Sequence, residues 1–138
     1  MPQYVVLYHE LSEDEQLSRT SRSHFDWMFE HENGLATWAT ETLPSKDQSL
    51  ELIAIRLPDH RKAYLTYEGA VSGNRGHVTR RESGTYEVIE ASEDSFQVLL
   101  SGDRTARITF QRIVSAGNLA AEVDRWYASF RPTRVEAS

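Results

Sequence analysis

Along most of the chain, apolar and polar residues alternate with a period of two, in short runs. Tyr4, Val5, Val6, Leu7 and Tyr8 make residues 3–9 β-branched and aromatic, which predicts a strand with Val5, Leu7 and His9 on one face. In residues 24–32, Phe25, Trp27 and Phe29 alternate with His24, Asp26, Met28 and Glu30. Side chains two apart on a strand share a face, so His24 and Asp26 project side by side, opposite the aromatics. Asn33-Gly34 follows, the dipeptide of a tight hairpin whose two turn positions take φ > 0. The alternation returns over 35–40, with Trp38, and again over 50–57, where Pro58-Asp59-His60-Arg61-Lys62 breaks it. From His77 the chain reads as a meander. Strands are predicted over 77–81, 85–90, 96–101 and 105–113, with turns at Ser83-Gly84, Ser92-Glu93-Asp94 and Gly102-Asp103. A strand about every ten residues suggests a barrel or a sandwich.

Two stretches depart from this rhythm. Residues 10–23 are almost wholly polar and read as a loop, with one helical turn over 12–17 where Ser12 and Glu15 fit a capping box. Near the end, Leu119, Val123, Trp126, Tyr127 and Phe130 fall at i, i+4, i+7, i+8 and i+11, one face of an α-helix. Asn118 can cap it and Pro132 lies beyond it, so the spacing predicts a helix over 118–130 packed on the sheet. No internal repeat, linker or second domain interrupts residues 1–138.

Composition narrows the chemistry. A chain of 138 residues fits one domain with a proper core. It has no cysteine, which excludes disulfides, zinc-thiolate sites and thiol nucleophiles. A metal would be held by His, Asp, Glu or backbone oxygen, which favours Mn, Mg, Fe or Zn. With 21 acidic and 15 basic residues the net charge is −6. Proteins that coat nucleic acid are usually basic, so strong non-specific DNA binding is not expected, although a local basic patch remains compatible. No stretch approaches the ~20 apolar residues of a membrane span. The N-terminus lacks the pattern of a signal peptide. The expectation is a soluble, cytoplasmic protein without a membrane partner.

Five histidines are present. His31 lies between Glu30 and Glu32 and reads as solvated; His77, after the glycine-rich stretch, reads as structural. His9, His24 and Asp26 are better placed, because two adjacent strands can bring them to one point. Two imidazoles and a carboxylate leave open positions for water and substrate, as a catalytic metal needs. The plainer alternative is a half-buried strand whose polar face meets water. His60 follows a strand, with Tyr64 four residues on, and can donate to a developing phosphate charge. Equally, Asp59 can cap the turn and leave His60 exposed. The stretch Gly69-Ala70-Val71-Ser72-Gly73-Asn74-Arg75-Gly76 lacks the Gly-Lys-Ser/Thr ending of a phosphate loop, and no Gly-x-Ser-x-Gly elbow exists.

Taken in order, Tyr4-Val5-Val6-Leu7-Tyr8-His9, His24-Phe25-Asp26-Trp27-Met28-Phe29-Glu30, Asn33-Gly34-Leu35-Ala36-Thr37-Trp38-Ala39, Arg56-Leu57-Pro58-Asp59-His60-Arg61-Lys62-Ala63-Tyr64, Tyr67-Glu68-Gly69 and Ser83-Gly84-Thr85-Tyr86-Glu87 carry a likeness. The chain resembles the 3′-phosphoesterase domain of bacterial ATP-dependent DNA ligase D and its stand-alone relatives, from about Tyr4 to Ile113. The resemblance implies a metalloenzyme that removes a terminal ribonucleoside and then the 3′-phosphate from DNA 3′ ends, with manganese preferred. It implies a β-barrel; together with the residue pattern, the expected fold is mainly all-β, one small barrel of about eight strands over 3–113, with short loop helices and the C-terminal α-helix packed on it. It implies Mn²⁺ on His9, His24 and Asp26, with His60 and Tyr64 at the phosphate.

Three family basic positions differ: Met28 replaces an arginine, a lysine falls near Thr42, and another arginine near Leu52. Arg56, Arg75, Arg80 or Arg19 and Arg22 are the available replacements, with Arg56 and Arg75 taken as substrate-binding. The leading expectation is a monomeric Mn²⁺-dependent phosphoesterase acting on DNA 3′ ends or another phosphate ester, alongside a separately encoded ligase or polymerase. The alternative is a weak or inactive DNA-end or protein-binding module on the same barrel. A third reading makes the histidines structural in a scaffold unrelated to nucleic acid.

Overall fold

The computed structural model describes residues 1–11, 23–71, 75–113 and 123–133. The helical turn expected over 12–17, Arg19, Arg22, Ser72 to Asn74, Asn118 and Leu119 lie outside the described residues. Nine strands follow in chain order: β1 (Gln3–Glu10), β2 (His24–His31), β3 (Gly34–Thr40), β4 (Leu50–His60), β5 (Gly69–Ala70), β6 (His77–Ala91), β7 (Ser95–Gly102), β8 (Ala106–Arg112) and β9 (Asp124–Pro132). They pair antiparallel in the order β1-β2-β3-β4-β9-β8-β7-β6, and β6 closes on β1. The result is a closed eight-stranded barrel, with the two-residue β5 added along β6. Closure removes the open edges on which sheets otherwise aggregate. Among the described residues the only helical element is a 3-10 turn, Lys62–Leu65.

Period-two alternation decides what fills the barrel. Tyr4 and Val6 of β1, Trp27 and Phe29 of β2, and Trp38 of β3 point inward with Phe110 and Phe130. Phe29 sits at the centre, its ring centroid 5.3 Å from Tyr86, 5.4 Å from Phe96 and 5.8 Å from Phe110. Each such edge-to-face pair contributes about 0.5–1.5 kcal/mol beyond the area it buries. At its margin the core also holds charge. Arg104 Nη2 lies 3.0 Å from Glu82 Oε1, both side chains being 2% exposed. Tyr4 Oη donates to Glu82 Oε2 at 2.8 Å, and Arg104 Nη2 donates to the Pro44 carbonyl.

The C-terminal helix expected over 118–130 is not formed where the chain is described: Asp124–Pro132 is β9, between β4 and β8. Trp126 and Phe130 are four apart, a spacing that suits a helix face and a strand face alike. Ala128 settles the period, buried with Trp126 and Phe130, whereas Tyr127 and Val123, which the helical pattern needs inward, are exposed. In this position β9 pairs with β4 and β8, strands whose backbones would otherwise lie open.

Three smaller expectations also change. Ser83-Gly84 is not a turn, because β6 runs unbroken from His77 to Ala91, pairing first with β1 and then with β7. Gly84 lies where one partner gives way to the other, facing both Tyr4 and Gly102. A Cβ there would overlap the Ser101 carbonyl and the Tyr4 ring. The β2–β3 hairpin forms, but its turn residues are Glu32 and Asn33; Gly34 pairs with His31 and has no positive φ. Gly34 serves close approach instead, since a Cβ would sit 3.1 Å from the His60 carbonyl. Finally, β4 continues through Pro58 to His60, because the ladder slips between Leu35 and Thr37 and leaves Pro58 in the irregular stretch.

A second, outer apolar cluster positions the site. Val5, Leu7, Met28, Leu35, Val71 and Val78 bury one another on the outside of the barrel, with Tyr64 and Leu65 packed over them. The chain after β4 therefore folds back across β1, β2 and β3.

Candidate metal centre

The ladders fix the site before any side chain is considered. His9 pairs with His24 and Leu7 pairs with Asp26 across β1 and β2. Because Phe25 and Trp27 face the core, His24 and Asp26 face outward, beside His9 and at the edge of the outer apolar cluster. One ligand atom from each of His9, His24 and Asp26 lies within 4.8 Å of the others. His24 Nε2 is 3.0 Å from Asp26 Oδ1, and His9 Nδ1 is 3.8 Å from Asp26 Oδ2. Asp26 is 1% exposed, against 18% for His9 and 19% for His24, so the carboxylate forms the floor and the imidazoles the rim.

Two features of this trio suit a divalent cation. Asp26 Oδ1 is buried and has no hydrogen bond to any described residue, although His24 Nε2 lies 3.0 Å from it. A buried carboxylate oxygen left in that state is costly unless a cation completes it. His9 Nε2 lies 2.6 Å from the Arg75 carbonyl. A carbonyl only accepts, so Nε2 carries a proton, and Nδ1 is the nitrogen turned toward Asp26. An imidazole whose second nitrogen donates to a backbone carbonyl is the usual arrangement of a metal-ligating histidine. The donor set, two nitrogens and carboxylate oxygen, fits Mn, Fe or Zn.

The remaining candidates are spread along the outer face. Arg75 lies beside His9, through its carbonyl, and its side chain is exposed. Arg80 pairs with Leu7, which pairs with Asp26, so Arg80 shares a cross-strand row with that carboxylate. His60 stands further off. It pairs with Leu35, and Leu35 pairs with Glu30, four residues along β2 from Asp26. At about 3.3 Å per residue that is ~13 Å along the strand. His60 Nδ1 donates to the Pro58 carbonyl at 3.0 Å, which leaves Nε2 as its other nitrogen, and its ring centroid is 5.8 Å from that of Tyr64. Tyr64 packs on the cluster that contains Leu7 and Met28, so it spans part of the gap.

Arg56 goes elsewhere. It pairs with Trp38 on the inward row, its guanidinium lies 4.4 Å from the Trp38 ring, and it donates to the Thr37 carbonyl and to Asp59. At the three family basic positions, Met28 is buried in the outer cluster, Leu52 packs on the inner core, and the Thr42 carbonyl accepts from Thr40 Oγ1. His31 is not simply solvated: its Nε2 lies 2.7 Å from Asp59 Oδ2 and its Nδ1 accepts from the Asn33 N–H. No local pattern links residues 28 apart, so only the bend of β4 over the hairpin reveals that pair. His77 is exposed at the start of β6.

A family model described as the DNA Ligase D 3′-phosphoesterase domain matches residues 16–113, more than half of the chain. The "Multifunctional non-homologous end joining protein LigD" of Mycobacterium bovis (strain ATCC BAA-935 / AF2122/97) is 32% identical over 76 residues. The "Multifunctional non-homologous end joining DNA repair protein LigD" of Mycobacterium tuberculosis (strain CDC 1551 / Oshkosh) matches at the same 32% over 76 residues. In both cases the match takes in 53% of this chain and 10% of the relative. Among the described residues no helix is long and apolar enough to cross a membrane.

Proposed function

The chain belongs to the DNA ligase D 3′-phosphoesterase domain family, and from that premise we propose that it is a divalent-metal-dependent phosphoesterase acting at DNA 3′ ends. A phosphoesterase-like role follows from the family itself; the metal, the substrate and the residue roles are our reading. One observation carries it. Asp26 Oδ1 is buried without a hydrogen bond where two imidazole nitrogens converge within 4.8 Å. His9, His24 and Asp26 would hold the ion, with Mn²⁺ as the expected metal.

A divalent cation bound there supplies Lewis-acid polarisation of a phosphoryl oxygen. The chain's own groups do the rest. The Arg75 carbonyl holds His9 in the tautomer whose Nδ1 faces the site. Leu7 and Met28, buried beside Asp26, keep bulk water from one side of the carboxylate. Among the described residues, Arg75, whose carbonyl meets His9, and Arg80, on the cross-strand row of Asp26, are placed to meet a phosphate, and each charge-assisted contact contributes about 1.5–3 kcal/mol. Arg56, stacked on Trp38, is not assigned to substrate. His60 Nε2, with Tyr64 beside it, contacts the part of the substrate that extends over Met28 toward the β2–β3 hairpin. There, in the imidazolium form, Nε2 donates to phosphate and passes its proton to the leaving group.

The test pairs activity with a metal readout. Mn²⁺ titrated into metal-free protein is expected to broaden the NMR signals of His9, His24 and Asp26 selectively. Removal of phosphate from a 3′-phosphorylated oligonucleotide is expected to need Mn²⁺ and to fall by about 100-fold or more in Asp26→Asn. Unchanged turnover in Asp26→Asn and in His9→Gln would remove the trio from the mechanism.

A further inference from the structure

In a helix, Tyr127 would share the buried face of Trp126 and Phe130. As a strand, β9 turns it the other way, and the outward row becomes Arg125, Tyr127, Ser129, Arg131. Tyr127 is 52% exposed and lies opposite Ile53 of β4, itself 47% exposed. Across the other edge Arg107 of β8 pairs with Arg131. Neither β8 nor β9 puts an acidic side chain on this face: Asp124 sits on the inward row, accepting from Arg112 and from Trp126 Nε1. Among the described residues, Glu51 of β4 lies 3.8 Å from Arg131, both groups being exposed, and Glu87 of β6 shares the cross-strand row of Arg107 beyond Leu99. On a chain of net charge −6, three arginines thus flank an exposed aromatic ring on one sheet face.

We infer that the outward face of β8 and β9 is a contact surface for a single polynucleotide strand, with Tyr127 stacking on a base and Arg107, Arg125 and Arg131 facing phosphates. A basic platform carrying an exposed aromatic is how proteins hold single strands without reading sequence. The charge favours a polyanion over an apolar partner, because an interface built on Ile53 and Tyr127 alone would have to desolvate three arginines. Arg125 also shares a cross-strand row with Asp26, through Ala39 and Ile55. Three strand spacings separate them, about 14 Å along the sheet. A strand held on this flank would reach the trio at its end. The inference deepens the phosphoesterase reading, and rests on it only for the choice of DNA.

The experiment is anisotropy of a short fluorescent oligo(dT) without a 3′-phosphate, across a salt series, with p-nitrophenyl phosphate hydrolysis and sedimentation measured on the same proteins. Wild-type binding is expected to weaken with salt, log affinity falling by about 0.7 per phosphate contact for each tenfold rise in salt. Tyr127→Ala is expected to lose about fivefold or more in affinity, while Tyr127→Phe keeps it. Arg125→Gln and Arg131→Gln are each expected to flatten the salt slope, with hydrolysis of the small ester unchanged. Wild-type affinity in the variant combining Tyr127→Ala with Arg125→Gln overturns the surface, as does an absence of salt-dependent binding in the wild type. Self-association that Tyr127→Ala abolishes also overturns it, making this face an interface between copies. Oligonucleotide binding as expected, with no hydrolysis of any ester, supports the surface and sinks the phosphoesterase reading instead.

Discussion

Glu82 and Asp26 are both carboxylates shut away from water, and the barrel treats them differently. Glu82 is saturated: Arg104 reaches both of its oxygens, and Tyr4 donates to one of them. Arg104 makes a further bond to the Pro44 carbonyl, and its guanidinium lies 5.3 Å from the Trp27 ring. Asp26 keeps one oxygen without a hydrogen bond, and its neighbours are two imidazoles at the rim. A closed network holds strands together and offers nothing to a ligand. An incomplete one, open on one side, is costly to the fold and ready for a cation.

The sharpest way to break this contrast is at Arg104. Arg104→Met leaves the Glu82 charge buried and unpaired, so a loss of about 3–5 kcal/mol is expected by denaturant titration. Replacing both partners, Glu82→Leu with Arg104→Met, is expected to recover most of that, because the desolvation cost leaves with the charges. A double variant as unstable as the single one would show that the pair also fixes the barrel's geometry.

At Asp26 the signs reverse. Alongside the ~100-fold loss of turnover, Asp26→Asn is expected to leave the metal-free protein as stable as wild type or more so, since a poorly compensated buried charge is removed. A fall in metal-free stability comparable to that of Arg104→Met would place Asp26 among the structural groups.

Met28 marks the border between the outer apolar cluster and the trio. Met28→Arg restores the family's residue type, but the side chain it replaces is buried among Val5, Leu7 and Leu35. The expected result is a loss of about 1–3 kcal/mol from overpacking. A variant of wild-type stability with faster turnover would show that the site has room for an arginine after all.

The smallest effect expected at neutral pH is at Tyr4. Tyr4→Phe removes one hydrogen bond to Glu82, about 1 kcal/mol. Burial, and then the neighbouring Glu82 charge, hold the Tyr4 hydroxyl far above its ordinary value of 10.0. Burial with the Glu30 charge also raises Tyr86. Folding thus favours the neutral phenols, a contribution fully present below pH 10 and lost as the unfolded chain ionises above it. Thermal unfolding followed against pH is expected to show stability falling past that point, less steeply in Tyr4→Phe. Parallel curves for the two proteins would mean that Tyr4 ionises freely.

Much of this molecule was legible from local pattern. The alternation of Phe25, Trp27 and Phe29 with His24 and Asp26 predicts both the strand and the outward pair, because a strand's period is set by its own backbone. The trio was readable for the same reason, since β1 and β2 are neighbours whose pairing brings His9 beside His24. Where pattern misled, two periods shared the same residues. Trp126 and Phe130 satisfy a helix and a strand equally, and the edges of β8, the preceding strand, and of β4, far away in sequence, decided between them. The same decision turned Tyr127 outward. Other features depend on approaches that no local window contains: Glu82 meeting Arg104 beside Tyr4, His31 meeting Asp59 across the hairpin, Arg56 meeting the Trp38 ring. Alternation and chemistry along the chain determined which side chains could act together. Closure of the barrel decided which of them do, because contacts between residues distant in sequence exist only once the strands that carry them have found their neighbours.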